Sequence, residues 1–100
     1  MGPGGPERGT VQHSESPAYA IVRRKSVEAQ TGYSRSTLYL RIDHGLFTRP
    51  VKLGARAVGW PATEVAAINA ARIAGMPDDG IRALVVELQR ARTENHQTPM

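Results

Sequence analysis

Apolar positions along the chain mark four helical stretches and several short extended runs. Tyr19-Ala20-Ile21-Val22 reads as an extended lead-in whose apolar side chains pin the chain to a core. A first helix is expected from Arg24 or Lys25 to Gln30, carrying Val27 and Ala29 and halting at Gly32. Ser34 then offers a side-chain oxygen to the orphan amides of a second helix over residues 35–44, where Leu38 and Ile42 stand four apart on one face. Gly45 lies where a left-handed cap is wanted. Residues 51–53 and 57–60 flank a Gly-containing tip and predict a β-hairpin. Pro61 suits the first turn of a third helix that runs to Ala74 and is capped by Gly75, with Val65, Ile68 and either Ala71 or Arg72 at helical spacing. Trp60, the one tryptophan, should clamp the hairpin root against that helix. After Pro77-Asp78-Asp79-Gly80, a fourth helix is expected over residues 79–92, with Ile81, Leu84, Val85 and Leu88 at i, i+3, i+4 and i+7.

Two short helices hinged at Thr31-Gly32-Tyr33 form a helix-turn-helix pattern, and a hairpin following such a unit is a wing. The fold class is therefore mainly α with a small β-hairpin: a winged helix-turn-helix with an added C-terminal amphipathic helix. Residues 1–18, rich in Gly, Pro, Ser and charge, read as a disordered tail, because such a segment buries too little apolar surface to offset its ordering entropy. Residues 19–75 are the winged domain, 76–93 the C-terminal helix and 94–100 a polar, fraying tail. The Ile81, Leu84, Val85 and Leu88 stripe must be covered, either by the domain itself or by a second copy, which makes these four the oligomerisation candidates.

One hundred residues bound the chain to one small domain, and a hydrophobic fraction of 40% fits a compact core with polar ends. There is no cysteine, so disulfides and thiolate metal sites are excluded. No run of apolar residues is long enough to span a membrane, and a cytoplasmic protein is the expectation. The net charge is +4, but residues 19–60 alone carry +6 and each flank carries −1. The excess sits in the helix-turn-helix and hairpin, and a polyanionic partner explains it economically.

On a helical wheel centred on Leu38, the opposite side holds Ser36, Leu40, His44 and Thr37, with Tyr39 and Asp43 on one flank and Arg41 on the other. Ser36 and Thr37 occupy the first turn, the part of a reading helix that meets base edges. Leu40 matches a thymine methyl, and Arg35 reaches a phosphate or a guanine edge. Tyr39 and Arg41 suit backbone phosphates, which position without reading sequence. Lys25, Tyr33 and Ser34 border the same helix, and Lys52 and Arg56 put charge on the wing. Asp43 would repel phosphates unless paired with an arginine. His13, His44 and His96 are scattered without cysteine, so no metal is expected. No catalytic triad spacing or phosphate-binding glycine loop occurs, and no enzyme activity or cofactor is expected.

The motifs Arg24-Lys25-Ser26-Val27-Glu28-Ala29, Thr31-Gly32-Tyr33-Ser34-Arg35-Ser36-Thr37-Leu38-Tyr39, Pro50-Val51-Lys52-Leu53-Gly54 and Val58-Gly59-Trp60, followed by Glu64-Val65, resemble the AlpA family of phage and mobile-element regulators. The resemblance covers about residues 20–75. It implies a MerR-like winged helix-turn-helix with residues 34–41 as reader and residues 52–56 as wing. It further implies double-stranded DNA as partner and transcriptional regulation of prophage or integrative-element genes. The alternative it carries is an excisionase, or recombination directionality factor, assembling as a homo-oligomer on attachment-site DNA beside an integrase of the tyrosine or serine recombinase type.

Overall fold

Ile21-Val22-Arg23 alternates exposed, half-buried, exposed, and forms strand β1 (Ile21–Arg23) in the computed structural model, which describes residues 20–97. There follow α1 (Arg24–Thr31), α2 (Arg35–Asp43), β2 (Val51–Lys52), β3 (Val58–Pro61), α3 (Ala62–Ile73) and α4 (Asp78–Gln97). The expected lead-in is thus a strand. It pairs antiparallel with β3 through Ile21↔Pro61, Val22↔Trp60 and Arg23↔Gly59, while β2 takes the other edge of β3 through Val51↔Gly59 and Lys52↔Val58. The sheet order is β1-β3-β2. A two-stranded hairpin is marginal alone, and the third strand and helix packing make this one stable. The fold is mainly helical with a three-stranded antiparallel sheet, compatible with a winged helix-turn-helix. The expected tail over residues 1–18 lies outside the described residues.

Gly59 sits at the centre of that sheet for want of room. A Cβ there would stand 2.5 Å from Ile21 Cγ2, 3.0 Å from the Val22 carbonyl oxygen and 3.1 Å from Leu53 Cδ1. Ile21 can rotate but the Val22 backbone cannot, so Gly59→Ala is expected to cost about 1–3 kcal/mol through overpacking. A urea denaturation midpoint equal to that of the parent protein would contradict this.

Local signals set most helix ends. Gly32 adopts φ +80° and its N–H donates to Glu28 O at 2.8 Å, stopping α1 in a left-handed cap. Ser34 Oγ accepts the Thr37 N–H at 3.2 Å and starts α2. Pro61 departs from expectation: it closes β3 with ψ 131°, and α3 begins one residue later with the Ala62 N–H bonded to Ala20 O. The β1 pairing holds Pro61 extended where local preference would allow a helical turn. Helix α4 runs to Gln97, five residues past the expected end. Arg90 pairs with Glu87 and Glu94 at i−3 and i+4, which supports the added turn.

The core comprises Val27, Leu38, Leu46, Phe47, Trp60, Val65, Ile68, Ala71, Ile81 and Val85. Of the four residues left open between self-packing and a second copy, Ile81 and Val85 are buried in this core, and Leu84 and Leu88 pack against it. The stripe thus faces the chain's own core, with Leu84 and Leu88 half-buried at its edge. Leu46, Phe47 and Thr48, in the link between α2 and β2, are also buried. No helix among the described residues is long and apolar enough to cross a membrane.

Candidate nucleic-acid interface

Helix α2 buries Leu38 completely and half-buries Thr37, Arg41 and Ile42. Its exposed side chains are Arg35, Ser36, Tyr39, Leu40 and Asp43, followed by the capping His44. Those positions recur at i, i+1, i+4, i+5, i+8 and i+9, which is one face of a helix. The centre of this face falls between Ser36 and Asp43, so Tyr39 and Asp43 stand nearer its middle than the sequence reading placed them. Thr37 is turned away from it. The Thr37 N–H donates to Ser34 Oγ, and the Ser34 hydroxyl donates to Thr37 Oγ1 at 3.1 Å. The capping interaction that starts the helix thereby occupies both Ser34 and Thr37, leaving Ser36 as the open hydroxyl of the first turn. Leu40 is 53% exposed and Arg35 is exposed, and neither Arg35 nor Asp43 has an ion-pair partner among the described residues.

Tyr33 and Arg41 come together away from that face. The Tyr33 ring lies edge-on to Phe47 at 6.4 Å, with the Arg72 guanidinium 4.5 Å and the Arg41 guanidinium 5.5 Å from its centre. Both cations are attracted by the ring's electron-rich face. The Tyr33 hydroxyl and Arg41 Nε are buried with no hydrogen-bond partner among the described residues. Arg72 also donates to Thr31 O at 3.3 Å, so α3 holds the hinge of the helix pair through this cluster. The helical spacing of Val65, Ile68 and Arg72 was the signal that Arg72 faces inward. Tyr39, 38% exposed, puts its ring edge-on to Trp60 at 6.5 Å and so touches both the open face and the sheet.

On the wing, Lys52 pairs with Val58, which lies two residues before Trp60 in β3. Paired residues and alternate residues share a sheet face, so Lys52, Val58 and Trp60 project the same way. Trp60 meets Tyr39 of α2 on that side, and Lys52 therefore extends from the face of the sheet that carries α2. Leu53 N–H bonds Ala57 O at 2.8 Å and closes the tip, where Arg56 is exposed.

The cations divide sharply. Lys25, Arg35, Arg49, Lys52 and Arg56 are exposed without ion pairs among the described residues, and Arg23 bonds only the Val58 carbonyl. In α3 and α4 each arginine is engaged: Arg72 as above, Arg82 by Asp79 and His44 O, Arg90 by Glu87 and Glu94, Arg92 by Glu64. The hydrogen bond and charge of Glu87, with the charge of Glu94, hold the Arg90 guanidinium above its ordinary pKa. Arg49 was not singled out from sequence as a contact residue. Its place between α2 and β2, inside the cationic segment, is the signal that marks it. Among the described residues no cluster of His, Asp or Glu is arranged to hold a metal ion.

A family model described as "Prophage CP4-57 regulatory protein (AlpA)" matches residues 20–71, just over half of the chain. No curated protein and no solved structure matches significantly. The matched span begins just before β1 and ends within α3, so it holds the sheet, the hinge and α2 and stops short of α4.

Proposed function

The chain belongs to the AlpA family of prophage regulatory proteins, and from that premise we propose that it is a sequence-specific double-stranded DNA-binding regulator of mobile-element genes. The observation that carries this reading is the exposed face of α2, with Arg35 on it, together with four further exposed cations in α1, the link and the wing that have no ion pairs among the described residues. Arg35 and Ser36 enter the major groove from the first turn, with Arg35 donating to a guanine edge. Leu40 meets a thymine methyl. Asp43 accepts a hydrogen bond from a cytosine amino group, which gives its charge a partner in a groove where phosphates would repel it. Lys25, Arg49, Lys52 and Arg56 grip phosphates and set the register. The same surface would serve a recombination directionality factor beside an integrase. Regulation is preferred because the matched family is described as regulatory.

Salt dependence tests the reading. Each phosphate neutralised contributes a slope of about −0.9 to log K against log salt. The four phosphate contacts give roughly −3.6, so affinity for a selected duplex should fall on the order of 10²-fold between 50 and 200 mM salt. A flat response removes the DNA reading.

The division of labour has its own test in a binding selection on random duplexes. Arg35→Ala and Asp43→Asn are expected to relax the selected sequence at separate positions. Lys52→Ala and Arg56→Ala should weaken binding to all sequences alike and reduce the salt slope by about 1 each. Equal, sequence-independent losses from all four variants would contradict these roles.

A further inference from the structure

Helix α4 lies beyond the matched family span, yet its side chains hold both ends of the link that joins the reading helix to the wing. At the start of the link, Arg82 Nε–H donates to His44 O at 2.9 Å, and the Arg82 stem lies across Gly45, its Cγ 3.7 Å from where a Cβ would stand. At the end of the link, Gln89 Oε1 accepts the Arg49 N–H at 2.8 Å, and Arg92 Nη2 donates to Arg49 O at 2.7 Å. Arg92 is itself fixed by Glu64 of α3, whose two carboxylate oxygens accept from Nε and Nη2 at 2.7 Å each. Between these ends Leu46 and Phe47 share one core with Ile81 and Val85. Arg82, Val85, Gln89 and Arg92 recur at i, i+3, i+7 and i+10, so a single stripe of α4 does all of this.

We propose that α4 is a spacer clamp: Arg82, Gln89 and Arg92 are positioning residues that set where the Lys52 and Arg56 wing stands relative to the Arg35, Ser36 and Leu40 reading face. The inference rests on the DNA-binding reading and deepens it. Strand β2 is two residues long and lies at the sheet edge, so its placement depends on where the chain leaves Arg49. Backbone groups of His44 and Arg49 bonded to α4 hold that point fixed, whereas the same groups bonded to water would let the edge strand and its tip swing. The clamp thereby fixes the distance between base reading in the groove and phosphate contact beside it.

The test uses Arg82→Met with Gln89→Ala in the full chain, leaving the Arg92–Glu64 pair in place so that the domain stays folded, as urea unfolding will verify. Lys52→Ala/Arg56→Ala is then introduced into both the parent and the clamp variant, and binding to the selected duplex is followed against salt. In the parent, removing the two wing cations should reduce the slope by about 1.8. In the clamp variant it should reduce it by less than half as much, because the displaced wing no longer reaches its phosphates, while the selected sequence stays the same. Equal reductions in both backgrounds overturn the proposal. Amide hydrogen exchange without DNA provides a second readout: the Arg49, Val51 and Leu53 amides should exchange at least tenfold faster in the clamp variant. Unchanged exchange overturns the clamp even if DNA binds. Absence of salt-dependent binding in the parent would instead remove the DNA reading, and exchange alone would still decide for or against the clamp.

Discussion

Arg92→Met is expected to lower the stability of the domain by about 3 kcal/mol, the penalty of leaving a buried carboxylate without its cation. Glu64 is 4% exposed, and both of its oxygens accept from Arg92. Removing the guanidinium strands a charge that water barely reaches, and it also frees Arg49 O, to which Arg92 donates. For a domain of this size each kcal/mol moves Tm by about 4–8 °C, so a loss of roughly 12–24 °C should be visible in a thermal melt followed by circular dichroism. The double variant Arg92→Met/Glu64→Leu should recover most of that loss, because two apolar side chains of similar volume replace a buried ion pair at little net cost. Such non-additivity is what identifies a coupled pair. If Arg92→Met were no more harmful than Arg90→Ala, whose partners lie in open solvent, the Glu64 carboxylate would have to be hydrated in a way its burial denies.

Glu64 and Arg92 are 28 residues apart and neither looked like a structural residue in the sequence. The reason is general to this fold. Features with a local cause were legible: Gly32 stopping α1 with a positive φ, Ser34 capping α2, Leu38 and Ile42 inward, Gly45 and Gly75 at left-handed positions, and the Ile81, Val85 stripe. Features caused by distant pairing were not. Residues 21 and 22 were legible as extended, but not their pairing with β3, nearly forty residues later. Leu46 and Phe47 sit in a link too short to show any period, yet both are buried in the core. At the candidate interface the wheel located the helix face but misjudged its centre, since it could not know that the capping bond would turn Thr37 inward or that Tyr33 would gather Arg41 and Arg72. The cationic segment was visible as a count of residues. Which cations stay without ion pairs became visible only when the acids of α3 and α4 were seen pairing with the arginines of α4.

Trp60→Ala should be the most damaging substitution in the domain, removing most of its cooperative folding at 25 °C. The indole is fully buried, and truncating a buried aromatic residue to alanine costs about 3–5 kcal/mol. Trp60 Nε1–H also donates to the buried Thr48 O at 2.8 Å, and losing that donor adds about 1–3 kcal/mol for an unsatisfied carbonyl. Together these approach the low end of the roughly 5–15 kcal/mol that stabilises an ordinary domain. The loss is also positional. Trp60 touches Phe47 at 6.4 Å and Tyr39 at 6.5 Å between ring centres, so one side chain of β3 bears on the link and on the reading helix at once. Trp60→Phe separates the two effects: it keeps an aromatic body in the core but has no N–H for Thr48 O. It should fold cooperatively with a midpoint lowered by about 1–3 kcal/mol, and bind the selected duplex more weakly even under conditions where it is fully folded. A Trp60→Ala variant that unfolds at the parent's urea midpoint would mean that the helix pair and the sheet are held together by contacts other than this joint. Weak binding by a fully folded Trp60→Phe variant, in contrast, would show that the joint between wing and reading helix matters to recognition beyond its share in stability.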